Sequence, residues 1–279
     1  MGDRPAVARL ALAVCVGLGA GVLSGMFGVG GGIVLVPALV AILGMDQRRA
    51  AATSLVAIIP ASLAGTTTYA LRGDVSLAAA LIIVLGSLVG ARMGTRLLAV
   101  LPARALPWIF IAFAASVLVM GRAHEPVREA ALSLDAARDP GAVAALVCIG
   151  LIAGLLAGLV GVGGGVVIVP GLEILAGAGD LLARGTSLAA MAPTAIAGTV
   201  SNLCRGLPDA RIGMVVGLAS VIGSPLGAVI ARALSPRAAS WLFSAFIVVA
   251  IASVLRRARR PGGAAVSGPA DPPPRESGR

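Results

Sequence analysis

Gly17 to Pro37 reads GLGAGVLSGMFGVGGGIVLVP, and Gly150 to Pro170 reads GLIAGLLAGLVGVGGGVVIVP. The two stretches lie 133 residues apart without a gap, and 14 of their 21 positions are identical. Identity of that extent within one chain marks a duplicated unit. The offset carries on outward: Thr53-Ser54-Leu55 matches Thr186-Ser187-Leu188, Pro60 matches Pro193, and Arg72-Gly73 matches Arg205-Gly206. After small length changes, Gly86-Ser87 matches Gly223-Ser224, and Trp108 matches Trp241. The chain therefore divides into an N-terminal repeat (6–121), a polar linker (122–141), a C-terminal repeat (142–257) and a Pro/Gly-rich tail (258–279) with no packing capacity.

The surrounding composition sets the solvent. Of the 279 residues, 58% are hydrophobic and 12% charged, against about 25% charged in an ordinary soluble domain. Each repeat carries four apolar runs near membrane length and one short run, Ile33–Leu43 or Val166–Ala176. A helix needs roughly 20 residues to cross about 30 Å of hydrocarbon. Eleven residues give roughly 16 Å at 1.5 Å per residue, so each short run is expected to be a half-helix or part of a re-entrant hairpin. The expected fold is all-α: a polytopic transmembrane bundle of two homologous halves, each holding a glycine-broken short helix. Strands of a membrane barrel would alternate in polarity, and these runs do not.

The net charge is +10, and every one of the 22 basic residues is arginine. With 3% aromatic residues the chain lacks stacking platforms for bases, so no nucleic acid is expected as a partner. The arginines read instead as topology determinants. Those after the last apolar run (Arg256, Arg257, Arg259, Arg260) and before the first (Arg4, Arg9) put both termini in the cytoplasm. Whether the halves are parallel or inverted depends on whether the short runs cross, and summing loop arginines leaves that open. Arg4 and Arg9 ahead of the apolar stretch from Leu10 resemble a signal peptide, but the segment recurs in the second copy and is expected to belong to the fold.

Chemistry-bearing residues are few. The three cysteines, Cys15, Cys148 and Cys204, form no C-x-x-C pair and are expected to be packing residues. His124, in the linker, is the sole histidine, and no HExxH motif occurs. No catalytic set, cofactor or metal site is expected. The strongest candidate is the doubled Gly-Val-Gly-Gly-Gly: Gly28, Gly30, Gly31 and Gly32, with Gly161, Gly163, Gly164 and Gly165. Bare amides followed by a helix start, whose N-terminus carries about half a positive charge, suit an anion. Two related copies facing each other at mid-bilayer match the architecture of secondary transporters. The alternative use of these glycines is close helix crossing. The four-residue ladders Gly17/Gly21/Gly25, Gly86/Gly90/Gly94 and Gly150/Gly154/Gly158 are expected to serve that packing role.

Thr53, Ser54, Thr186 and Ser187 offer hydroxyls that either donate to an anion or bond back to the helix. Glu173, an acid inside an apolar segment with Val40 at its matching position, is a candidate for proton coupling, or else sits at a wet end. Arg72 and Arg205 recur where a run ends and either attract anions at a mouth or, as favoured, snorkel, while Arg92 and Arg96 have no basic counterparts and so no shared site role.

The doubled G-x-x-x-G-x-x-G-V-G-G-G-x-x-x-V-P block, followed by A-x-x-T-S-L and a G-S-x-x-G-A helix, resembles the TauE/SafE family of bacterial membrane proteins. The similarity runs over both halves. It implies a permease of the inner membrane exporting sulfite, an organosulfonate or another small anion, with the bilayer and that anion as its partners. The competing class is a non-transporting membrane scaffold whose glycines only pack helices.

Overall fold

The computed structural model describes residues 6–102, 104–123 and 140–258. Most of the expected linker, with His124, and nearly all of the expected tail lie outside them. Ten helices and no strand occur among the described residues: α1 (Ala6–Phe27), α2 (Gly32–Ile42), α3 (Gln47–Ala70), α4 (Leu77–Val100), α5 (Leu106–Ala123), α6 (Pro140–Val160), α7 (Gly165–Ala176), α8 (Asp180–Leu203), α9 (Ala210–Ala233) and α10 (Pro236–Ala258). The local chemistry fixes several starts. Asp46, Ser76 and Asp209 accept from the amides of Arg49, Ala79 and Ile212 at the heads of α3, α4 and α9. Six helices, α1, α3, α4, α6, α9 and α10, contain stretches long and apolar enough to cross a membrane.

α3 and α8 form the centre. In α3, 67% of the spanning window is buried, against 44% in α1, α4 and α9, so α3 faces protein rather than lipid. α8 is as long as α3 but more polar, with Asp180, Arg184 and Asn202 all inside the bundle. A helix enclosed by others does not need an all-apolar surface, which is why α8 reads less clearly as a span. Gly65 of α3 abuts Leu188 of α8, and Gly198 of α8 abuts Leu55 of α3, so the two run antiparallel. These helices occupy matching places in the two sequence copies.

The glycine ladders supply the flanking contacts. Gly17, Gly21 and Gly25 of α1 lie against Val216, Ser220 and Ser224, so α1 runs parallel to α9. Gly86, Gly90 and Gly94 of α4 lie against Val147, Leu151 and Leu155, which makes α4 parallel to α6. Backbone meets backbone along both seams, and Ser220 Oγ donates across one of them to the Gly17 carbonyl at 2.8 Å. In lipid such close approach replaces the hydrophobic drive as the source of helix association. The three cysteines, expected inside, are on the outer surface. Four-fold glycine spacing gives each seam helix a smooth flank for its partner. Cys15 and Cys148 lie off that flank.

A Cβ on Gly154 would fall well under 3.0 Å from the Ser87 carbonyl, while one on Gly19 would meet nothing within 4 Å. Gly154→Ala is therefore expected to lower the thermal unfolding midpoint in detergent, at a cost of about 1–3 kcal/mol. Gly19→Ala should leave it unchanged or raised. Equal midpoints for the two variants would refute the seam.

Candidate functional site

The two glycine blocks sit at the middle of the bundle. Gly30 and Gly163 both lie against Ile58 and Met191. Those two residues are matching positions in the duplication, and each is at the midpoint of its own central helix. From this middle, α2 runs to the head of α3 and α7 runs to the head of α8. Because α3 and α8 are antiparallel, the two short helices leave the centre toward opposite ends. Their N-termini converge.

Glycine is required here by backbone conformation. Gly28, Gly30 and Gly31 have φ of 69°, 71° and 70°, and Gly161, Gly163 and Gly164 have 76°, 82° and 83°. An L-residue with a side chain strains in that region. Gly32 and Gly165 have ordinary φ but no room: a Cβ on Gly32 would strike Val162 and the Gly161 carbonyl, and one on Gly165 the Gly28 carbonyl and Val29. The two breaks thus touch through bare backbone.

The Thr-Ser pairs clasp this contact from the opposite copy. Ser54 Oγ donates to the Gly161 carbonyl at 2.6 Å, and Ser187 Oγ to the Gly28 carbonyl at 2.9 Å. Thr53 Oγ1 accepts from the Asp209 amide at 2.9 Å, and Thr186 Oγ1 from the Ser76 amide at 3.0 Å. Every partner maps onto its counterpart by the same 133-residue offset. All four hydroxyl residues are buried, and their hydroxyls engage protein atoms in this conformation.

The glycine amides have no such partners. Among the described residues, the N–H groups of residues 29–33 and 162–166 make no hydrogen bond, whereas the Gly31 and Gly164 carbonyls accept from the turns that follow. A buried amide without a partner carries a desolvation penalty of about 1–3 kcal/mol. Two runs of them at converging helix N-termini make the centre strongly electropositive. The Met191 methyl fills the space between Gly30 and Gly163, with Ile58 beside it.

One side of the pseudo-symmetric centre carries charge. Arg184 packs directly on Gly28, donates from Nη1 to the Met26 carbonyl at 2.8 Å, and pairs through Nη2 with Asp180 at 3.2 Å. Tyr69 Oη donates to the Gly25 carbonyl at 2.8 Å. Half-buried Glu173 stands within electrostatic reach of Arg184 and Asp180. The matching positions in the other copy are Ala51, Gln47, Asn202 and Val40. The buried Asn202 amide there makes no hydrogen bond.

Arg184 and Asp180 are candidate site residues that the sequence conceals, because they sit at the margin of an apolar run where loop charges are ordinary. Their four-residue spacing is the available signal: it allows an ion pair on one helix face. Among the described residues no group of His, Cys, Asp and Glu could hold a metal ion.

Comparison with known proteins agrees with this picture. Over 121 residues the chain is 31% identical to the probable membrane transporter protein YunE of Bacillus subtilis (strain 168). That match takes in 41% of this chain and 44% of that protein, so it spans less than half the length of either. No solved structure matches the chain. The model of the sulfite exporter TauE/SafE family matches residues 2–120 and 146–278, nearly the whole sequence. The chain therefore belongs to the sulfite exporter TauE/SafE family.

Proposed function

We propose that this protein is a secondary transporter that moves a small anion, a sulfur oxyanion such as sulfite or an organosulfonate, out of the cell by alternating access. The observation that carries the reading is the pair of buried, unpartnered amide runs, residues 29–33 and 162–166, at half-helix N-termini that meet mid-bundle. An anion is the ligand that satisfies N–H donors and a helix dipole together. The Gly28–Gly32 and Gly161–Gly165 segments form its cradle. Thr53, Ser54, Thr186 and Ser187 hold the cradle closed and exchange partners when it opens. Met191 and Ile58 fill the space that the anion takes.

Arg184 supplies a fixed positive charge at one end, and Asp180 neutralises it while the site is closed. Glu173, half-buried beside this pair, is the group assigned to proton coupling. An exporter does not require that coupling. With the interior negative, each elementary charge gains about 2.3 kcal/mol per 100 mV on leaving.

The helix directions support one of the two arrangements that loop counting leaves open. Opposed central helices make the halves inverted, the arrangement in which two access states are related by exchanging the halves. They also bring Arg48, Arg49, Arg104, Arg205 and Arg211 to one end, together with Arg9, Arg256 and Arg257 of the terminal helices, with Arg72, Arg122, Arg232 and Arg237 at the other. By the positive-inside rule the richer end is cytoplasmic, and both termini lie there.

Two measurements test the reading. In proteoliposomes, an inside-negative potential should drive sulfite or a short organosulfonate outward, and Gly30→Ala with Gly163→Ala should abolish the flux while the protein stays monodisperse. Absence of potential-dependent flux across sulfite, organosulfonates and sulfate sinks the proposal. The double variant Asp180→Asn/Arg184→Gln removes the fixed charge without leaving a lone buried ion, a defect that would cost about 3–5 kcal/mol. It should fold and lose roughly tenfold or more in transport, whereas Arg49→Gln, at an exposed pair, should not. Equal rates in both variants would remove Arg184 from the site.

A further inference from the structure

A second cationic feature lies away from the glycine centre. Between α4 and α8 runs a groove of about 670 Å³, with Arg92, Arg96 and Arg205 at one end and Leu88, Ile196 and Val200 along its wall. No carboxylate lines it. Thr95 Oγ1 and Ser201 Oγ, 2.7 Å apart, clasp the two helices beside it. Arg205 Nη1 donates to the Thr95 carbonyl at 2.5 Å, which fixes that guanidinium at the groove and leaves its other N–H groups available. Among the described residues the guanidinium groups of Arg92 and Arg96 make no ion pair or hydrogen bond.

The placement of these charges is costly without a counter-ion. Arg92 stands eight residues before the end of α4, about 12 Å along the helix, which puts it within the hydrocarbon of a spanning helix. The neighbouring surface is apolar and open: Val89, Met93, Ile196 and Val200 are each about half exposed, so acyl chains border the groove. A small oxyanion would leave most of this volume unfilled. An anion carried on an apolar tail matches both parts. The feature is also one-sided. The matching positions in the other copy are Val229, Ala233 and Arg72, and the nearby Arg232 there is paired with Asp74. In inverted halves the two grooves open to opposite leaflets, so the unpaired cluster serves one leaflet only.

We propose that the α4/α8 groove holds an anionic phospholipid, its phosphodiester among Arg92, Arg96 and Arg205 and an acyl chain along Leu88, Ile196 and Val200. Basic pockets between membrane helices on the cytoplasmic side take such headgroups, and this groove opens at the arginine-rich end. The inference does not depend on anion transport through the glycine centre.

Native mass spectrometry of the full chain, titrated with phosphatidylglycerol and separately with phosphatidylcholine, tests it. The wild type should retain one phosphatidylglycerol in preference to phosphatidylcholine. Affinity should fall about fivefold for each arginine removed, and about a hundredfold in Arg92→Gln/Arg96→Gln/Arg205→Gln. The three side chains are exposed, and a thermal melt of each variant reports its fold. Equal retention of the two lipids by the wild type, or undiminished phosphatidylglycerol binding by the triple variant, overturns the proposal. Displacement of the lipid by millimolar sulfite overturns it too, and assigns the groove to the anion's own route.

Discussion

Backbone that leaves a helix inside a membrane must be sheltered, because no water is there to replace its hydrogen bonds. This constraint governs the whole bundle. Two chain breaks meet at its centre, and only glycine has both the conformations and the slenderness to let them touch. The rest of the architecture surrounds that contact. α3 and α8 pass on either side and send a serine across to the carbonyl of each break. The glycine seams of α1 with α9 and α4 with α6 draw the outer helices close enough to exclude lipid.

Carbonyls and amides are treated differently at the centre. The carbonyls of Met26, Gly28 and Gly161 receive donors from Arg184, Ser187 and Ser54. Among the described residues, the amides of 29–33 and 162–166 donate to no partner. The imbalance leaves donors in excess, and the proposed anion role rests on that excess.

Much of this was legible in the sequence, because the signals are local. The duplication, the long and short apolar runs and the four-residue glycine ladders each depend on spacing alone, and the short helices start within one residue of their expected positions. Helix direction was not legible. A loop arginine says which end is cytoplasmic only once the ends are known, and the contact of Gly65 with Leu188 that reveals them joins residues more than a hundred positions apart. Arg184 escaped for a related reason. An arginine at the edge of an apolar run looks the same whether it reaches water or turns inward to the end of another helix, and only the Met26 carbonyl distinguishes the two. The hydroxyl pairs were visible as a motif, but their partners, the loop amides and glycine carbonyls of the other copy, were not.

Had the gene copies stayed identical, exchanging the halves would return the same molecule, and the inward- and outward-open forms would have equal energy. The centre departs from that degeneracy at its most sensitive points: Met191 faces Ile58, and Arg184 answers Ala51. In the proposed alternating-access cycle, a thioether that flexes opposite a stiff branched chain, and a guanidinium opposite a methyl, tilt the balance between the two forms. On that proposal, divergence between the copies sets a resting orientation, and drift at these few positions reverses it without altering the fold.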